Sequence, residues 1–532
     1  MKNKKNKIAL LLAGLLGLTS FSACGWIPKK NSSEEGSSSE EISSVEEDTS
    51  TKILCEALQE STIKVGKEQE ITVGKEVGDR NYFTIQLTTT APLVGYIHYT
   101  DPNNAAKTHK EKFFIEQGAE SFSMFLDGIR IGAFGAFEKR IDKITLQNVG
   151  DVSAKVKISQ VAISDRTYDN QEMLYLDNGM MKVGASLAAG GALYHLECLN
   201  RNVVEYVDKD GKVRIDEGID ASTVNLVTDQ VNLINVHDLG REVQQSYYSN
   251  AGEENGYKPD DEVIYNSGFG GGYKYNPVQA GSAGDNQTQI IDYELTKNKL
   301  YIKCRPQDWF FDNTQTDSYM ESTYTFDKGG SLIVTNRFIN FAQFTNMDGV
   351  IACNQEIPAV YIVHPLNYFY CETVEGVIND PGLSPIPTSD YKSSLSEKKE
   401  GNYWYQLPAS TVVGSWLANV NDKGFGLGMY IPNVERYSAS RGWKSTSYEM
   451  YSNHYYDSNI YDLRGVRLIP SMYVDNYNYF SPAVTRKMVD FVPFEYSFAL
   501  YIGRVEEMRE RFGWLKENET IKNEGLDYWS KI

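Results

Sequence analysis

NGMMKVGASLAAGGALYHL, residues 178–196, reads as two short strands, 178–184 and 189–196, joined by a glycine-rich turn. Asn200, Asn202 and the apolar-rich run VVEY at 203–206 follow it. From there almost to the end of the chain, Pro and Gly punctuate segments of strand length, which predicts a long series of antiparallel strands. The one persuasive helix is residues 505–516, where Glu506, Glu507, Arg509, Glu510 and Arg511 surround Met508, Phe512 and Leu515. The composition agrees. The chain has 36 Tyr against 22 Phe and 7 Trp, and tyrosine favours strands and wet, amphipathic surfaces. An all-β protein is expected.

At 532 residues the chain exceeds one ordinary core, so more than one domain is expected. Ahead of the quoted stretch, residues 53–168 hold short strand-like runs at 82–87, 95–99, 121–126, 144–148 and 155–163, separated by polar turns. That rhythm predicts a β-sandwich, similar to the jelly-roll modules that accompany secreted carbohydrate enzymes. It would serve either as an accessory domain or as a spacer. Residues 31–52, NSSEEGSSSEEISSVEEDTSTK, offer almost nothing to bury and repel themselves, which predicts a disordered tether over 24–52. At the start, Lys2, Lys4, Lys5 and Lys7 precede an apolar stretch, 8–23, of signal-peptide length. It ends in Phe21-Ser22-Ala23-Cys24, which resembles a bacterial lipobox. The resemblance implies lipidation of Cys24 and a place on the outer face of the cell membrane.

The formal charge of −19 argues against nucleic acid, which needs a basic stripe. The glycines at 268–272 lack the GK[ST] ending and following helix of a phosphate loop, so no nucleotide is expected. No two histidines stand at metal-ligand spacing, and no metal or other cofactor is expected. Cys55, Cys198, Cys304, Cys353 and Cys371 are scattered and read best as small buried hydrophobes, although one disulfide would be possible.

The opening strands resemble those of the galactose mutarotase-like superfamily, in which a Gly-Gly-Ala, Leu, Asn rhythm precedes a long antiparallel run. Asp238-Leu239-Gly240-Arg241 lies where such proteins place polar site residues. Trp416-Leu417-Ala418-Asn419 with the 424–430 run gives a hairpin-like pair, and 494–503 gives a closing strand. The resemblance spans about residues 170–515. It implies a β-supersandwich over 169–516, two large curved sheets face to face with a ligand groove on the concave side. A tail, 517–532, would pack loosely.

Three polar stretches are candidates for that groove. NVHDLGREVQQSYY, 235–248, brings together His237, Asp238, Arg241, Glu242, Gln245 and Tyr248. In an extended strand Asp238, Glu242 and Tyr248 share one face, and His237, Arg241 and Gln245 the other. Arg241 and Gln245 donate to hydroxyls, Tyr248 stacks or donates, and Asp238 accepts. An internal ion pair between Asp238 and Arg241 is the alternative use. YKYNPVQAG, 273–281, offers Tyr275, Asn276 and Gln279, an aromatic face with amides that donate and accept at once, unless those amides cap their own loop. In CNQEIPAVY, 353–361, Glu356 leads into an apolar run, where desolvation would raise its pKa as a general acid requires. A structural pairing with a Lys or Arg is the alternative.

The expected protein is thus a lipid-anchored lipoprotein acting on a poly- or oligosaccharide. Its leading reading is a glycoside hydrolase with Glu356 and Asp238 as carboxyl pair and Glu242 or Asp312 in reserve. A non-catalytic glycan receptor is the rival. A lyase or epimerase is the third reading, with His237 or Tyr248 as base and Arg241 and Asn276 neutralising a uronate. Trp404 and His454 are expected at the rim, and His364 in the core.

Overall fold

The computed structural model describes residues 50–126, 139–199, 232–235, 242–259, 273–283, 286–311, 313–363, 366, 368–379, 403–420, 424–441 and 478–527. Cys24, His237, Asp238, Arg241, Asp312, His364 and His454 lie outside them, and of Trp404 only the backbone is described. Residues Thr49–Ile532 form one compact unit. It is built almost wholly of antiparallel strands in four sheets, with one α-helix of length among the described residues.

The first two sheets use residues 51–164. A five-stranded sheet is ordered Thr51–Cys55, Ala154–Ser164, Tyr82–Thr89, Ser121–Phe125, with Ser61–Ile63 also paired to Ala154–Ser164. A four-stranded sheet is ordered Glu68–Gly78, Lys139–Asn148, Leu93–Asp101, Asn104–Ile115. Alternation drives their packing. Phe83, Ile85 and Leu87 on one strand and Ile97 and Tyr99 on another are buried, while Thr84, Gln86 and His98 between them are polar and more exposed.

The other two sheets are larger. Ten strands include, side by side, Met173–Asp177, Met181–Ser186, Leu193–Cys198, Val243–Ser246, Cys353–Ile362, Asn478–Arg486, Arg436–Arg441 and Tyr403–Pro408. Nine strands run from Gln289–Leu295 through Lys299–Arg305, Ser318–Phe326, Leu332–Asn340, Phe494–Arg504, Phe425–Tyr430 and Trp416–Val420 to Tyr368–Thr373 and Gly376–Asn379. Inward residues of both, such as Val183, Leu196, Ile357, Phe480, Met320, Phe338 and Leu427, share one core.

The quoted stretch forms the predicted pair, Met181–Ser186 and Leu193–Cys198. Its turn needs glycine: Gly190 and Gly191 have φ of +59° and +82°, and a Cβ on Gly190 would lie 2.3 Å from the Gln279 carbonyl oxygen. The backbone exposed by this close approach is used. The Gly190 carbonyl accepts from Gln279, and that of Gly191 accepts from Tyr324 of the facing sheet.

The nine-stranded sheet has its outer face covered twice. Tyr319, Ile339 and Phe341 join the core of the 51–164 sheets, where Phe341 stacks on Phe114 at 5.5 Å. Lys112 donates to Asp317 at 2.6 Å beside that contact. Further along, the helix Val505–Glu517 lays Val505, Met508, Phe512 and Leu515 on Trp416, Ala418, Tyr430 and Ala499. Burying each large side chain contributes about 1.5–3 kcal/mol. Gly428 permits this approach, since a Cβ there would meet Met508 Sδ at 2.8 Å.

The C-terminal segment departs from expectation. Instead of packing loosely, residues 518–527 are tied to the core, with Leu526 fully buried and its carbonyl accepting from Arg486. Asn523 donates to the carbonyls of Pro432 and Ser497, and so ties the segment to the Phe494–Arg504 strand and to the connection after Phe425–Tyr430. Apolar Ile521 and Leu526, spaced among polar residues, supply the burial that fixes the segment. The five described cysteines are free, and all but Cys55 are buried.

Candidate functional site

The outer face of the ten-stranded sheet differs in kind from that of its partner. On the Val243–Ser246 strand and its continuation, Ser246 and Tyr248 share one face, where Ser246 donates to the Tyr248 oxygen. Gln245 and Tyr247 point inward, so the expected separation of Tyr248 from Gln245 is what the strand adopts. Ser246 pairs with Glu356 on the Cys353–Ile362 strand, and Glu356 pairs with Ala483 on Asn478–Arg486. Gln355 and Ile357 are buried, whereas Glu356 between them is partly exposed.

Glu356 is the centre of the face. Tyr248 donates its hydroxyl to one carboxylate oxygen at 2.9 Å, and Tyr479 donates to the other. Ser246 donates in turn to the Tyr248 oxygen at 3.2 Å. Each phenol is backed by a second ring, Tyr273 against Tyr248 at 4.9 Å and Tyr361 against Tyr479 at 4.7 Å. Burial pushes the Glu356 carboxyl above the usual carboxylate range, and the two hydroxyl donors only partly offset it. The same burial, reinforced by the Glu356 charge, pushes both phenols well above their ordinary value. They are held as donors. The arrangement can therefore keep a carboxylic acid protonated into a higher pH range and stabilise the carboxylate once its proton has gone.

Four of the expected ligand-binding residues lie elsewhere. Gln245, Tyr275, Asn276 and Gln279 are at most 1% exposed. Gln245 donates to the Glu321 carbonyl and to Ser322, while its own carbonyl accepts from Tyr247. Gln279 donates to Gly190 and Ser322 and accepts from the Gln245 backbone. Asn276 donates to the Tyr247 carbonyl, and Tyr275 to Asn340. These groups form a polar ladder inside the core, continued from Ser322 through Asn336 to Tyr496, that ties the two large sheets together. Their groove role is corrected to a structural one: every amide satisfies backbone or side-chain groups that burial would otherwise leave unpaired.

Of the sequence candidates, the structure brings together Glu356 and Tyr248. The segment 236–241 that carries His237, Asp238 and Arg241 has both described flanks on one residue. Asn235 donates its N–H to the Tyr361 carbonyl, and the Tyr361 N–H donates to the Glu242 carbonyl. Trp404 is in register with Ser440, which is in register with Tyr479, which is in register with Tyr361. Sequence reasoning did not single out Tyr273, Tyr361 or Tyr479. The available signal was the recurrence of tyrosine at outward positions of strands flanking Glu356. Among the described residues no cluster of His, Cys, Asp and Glu is arranged to hold a metal ion.

No family model and no curated protein matches the chain in sequence. Among solved structures it is similar to an aldose epimerase homologue from C. elegans, at 9% identity and a TM-score of 0.31, over 63% of this chain and 99% of that one. A galactose mutarotase related enzyme from Lactobacillus acidophilus overlaps at 10% identity and 0.26, over 62% and 97%. A 4-alpha-glucanotransferase from Thermococcus litoralis overlaps at 10% and 0.27, over 64% and 38%. Overlaps this weak say nothing of chemistry, which has to be read from the site's own geometry.

Proposed function

We propose that this protein is a lipid-anchored, extracytoplasmic glycoside hydrolase, with Glu356 as proton donor on the polar face of the ten-stranded sheet. The observation that carries the reading is the Glu356 carboxyl, partly buried and held between the hydroxyls of Tyr248 and Tyr479. Protonated Glu356 would give its proton to the glycosidic oxygen as the bond from that oxygen to the anomeric carbon breaks, the electron pair staying on oxygen. The carboxylate left behind meets two phenol donors already in place, so little reorganisation is needed at that moment. Asp238 is the candidate for the second carboxyl group, directing water to the anomeric carbon or attacking it. Cys24 supplies the anchor and residues 24–52 the reach.

The upward shift of both phenols weighs against the lyase and epimerase readings that rely on tyrosine, because a base must part with its proton readily. The reading is tested by incubating the protein with a panel of neutral glycans and assaying new reducing ends. Release that is abolished in Glu356→Gln and in Asp238→Asn supports it. Undiminished release from both variants would discard the carboxyl pair, and binding without product would assign capture instead of cleavage. Labelling with a radioactive fatty acid, lost in Cys24→Ala, tests the anchor.

A further inference from the structure

We propose that the site takes a neutral sugar chain laid diagonally across the ten-stranded sheet, with a tyrosine pair beneath the ring on each side of Glu356. This rests on reading Glu356 as the proton donor to a glycosidic bond. The linkage to be broken then lies between two bound rings, and the substrate class is an oligo- or polysaccharide, not a free monosaccharide.

The strand order makes the geometry. Cys353–Ile362 lies between Val243–Ser246 and Asn478–Arg486, so Tyr248 and Tyr479 approach Glu356 from opposite neighbours. They are also displaced in opposite directions along the strand. Ser246 is opposite Glu356 in an antiparallel pair, which carries Tyr248 toward Asn354. Tyr479 is opposite Tyr361, toward the other end. The line joining the two tyrosine pairs therefore crosses the sheet obliquely, with the carboxyl group between them.

The two pairs are near copies in geometry: 4.9 Å and 42° for Tyr248 with Tyr273, 4.7 Å and 43° for Tyr361 with Tyr479. In each pair one ring donates to Glu356, and the other packs against that ring. Tyr273 is 37% exposed, the extreme among these rings. A single pyranose bound for reaction at its own anomeric hydroxyl would use one such platform. Two platforms on opposite sides of one carboxyl fit the ring before and the ring after a linkage. The cross-strand row from Tyr361 through Tyr479 and Ser440 reaches Trp404 two strands beyond Tyr479, about 10 Å further at ordinary strand spacing. With phenols as the partners of Glu356 and a net charge of −19, the chain it suits is neutral.

The test is calorimetric titration of the full chain carrying Glu356→Gln with cello-, xylo-, malto- and galacto-oligosaccharides, each from monosaccharide to hexasaccharide. Affinity for at least one series should rise on the order of tenfold or more between monosaccharide and disaccharide. Tyr273→Ala and Tyr361→Ala, each with an unchanged melting midpoint, should each remove that step. The proposal is overturned if no series binds, if the monosaccharide binds as tightly as its oligomers, or if the step survives both substitutions. Reducing-end release by the unmodified chain is scored separately. A length-dependent affinity that depends on both tyrosines, together with full turnover in Glu356→Gln, would sink the proton-donor reading and leave the diagonal binding path standing.

Discussion

The two large sheets share one core yet treat their outer faces in opposite ways. The nine-stranded sheet hides Tyr319, Ile339 and Phe341 under one cover and Trp416, Ala418 and Tyr430 under another. The ten-stranded sheet instead gathers Ser246, Tyr248, Glu356, Tyr361 and Tyr479 on one polar face. Both alternate inward and outward residues, with a register shift between Glu356 and Val360 that brings Glu356 and Tyr361 to the same face, and the chemistry of the outward positions differs. An apolar outer row demands a covering element, whereas a row of hydroxyls around a carboxyl is suited to a ligand. On the proposed reading, function sits on one sheet and scaffold on the other.

Four substitutions would break or sharpen that contrast. Glu356→Gln on the polar face should lower turnover of a hydrolysed glycan about 10²–10⁴-fold while the melting midpoint stays close to that of the parent. A large loss of stability with unchanged activity would reverse the roles assigned to the two faces. On the covered face, Phe512→Ala removes a fully buried ring packed on Trp416 and Tyr430, and should cost about 3–5 kcal/mol in denaturant unfolding. Activity per folded molecule should not change.

Asp308 and Asp490 sit where the chain passes between the sheets, and burial pushes each carboxyl up to about 6. Asp308 accepts from Tyr257 and from the N–H groups of Asn276 and Phe310, and Asp490 from Asn340 and Phe344. A raised carboxyl binds its proton more tightly in the folded state, so its contribution is most favourable below about pH 4. It declines as pH rises from about 4 to 6, and above that leaves a constant penalty. Asp308→Asn should remove that slope. The difference in unfolding free energy between parent and variant should shift by about 2–3 kcal/mol, in the variant's favour, between pH 4 and pH 7. The smallest effect is expected from Tyr248→Phe. Losing one donor to the Glu356 carboxylate should raise that group's pKa further and move the alkaline limb of the pH–rate profile upward. A downward move would contradict the donor role.

The contrast also marks how far the sequence could be read. Alternation and punctuation disclosed the strands, the two-strand opening and the helix that covers Trp416, because each is a local, periodic signal. Glu356 was visible for the same reason, as a carboxyl group heading an apolar run. The polar side chains of the core were not. Gln244 and Gln245 are adjacent and chemically identical, yet one accepts from the Ala280 N–H and the other spans to Ser322. Polar density along a chain cannot separate a ligand face from a satisfied internal ladder, since the deciding partners, Ser322, Asn336 and Tyr496, are remote in sequence. The tyrosines around Glu356 come together from strands more than a hundred residues apart, through a register that no single stretch encodes.

Tyr361 has a consequence for how such a protein can change. Its backbone carbonyl accepts from the Asn235 N–H and its own N–H donates to the Glu242 carbonyl, so the chain on either side of residues 236–241 is tied to one point of the sheet. Between two flanks held at one point, doubling the length of chain adds only about 0.6 kcal/mol of closure entropy. Insertions between those flanks would leave the ladder and both covers untouched. Descendants of this chain could thus differ in the length of that one segment, with the sheets inherited intact.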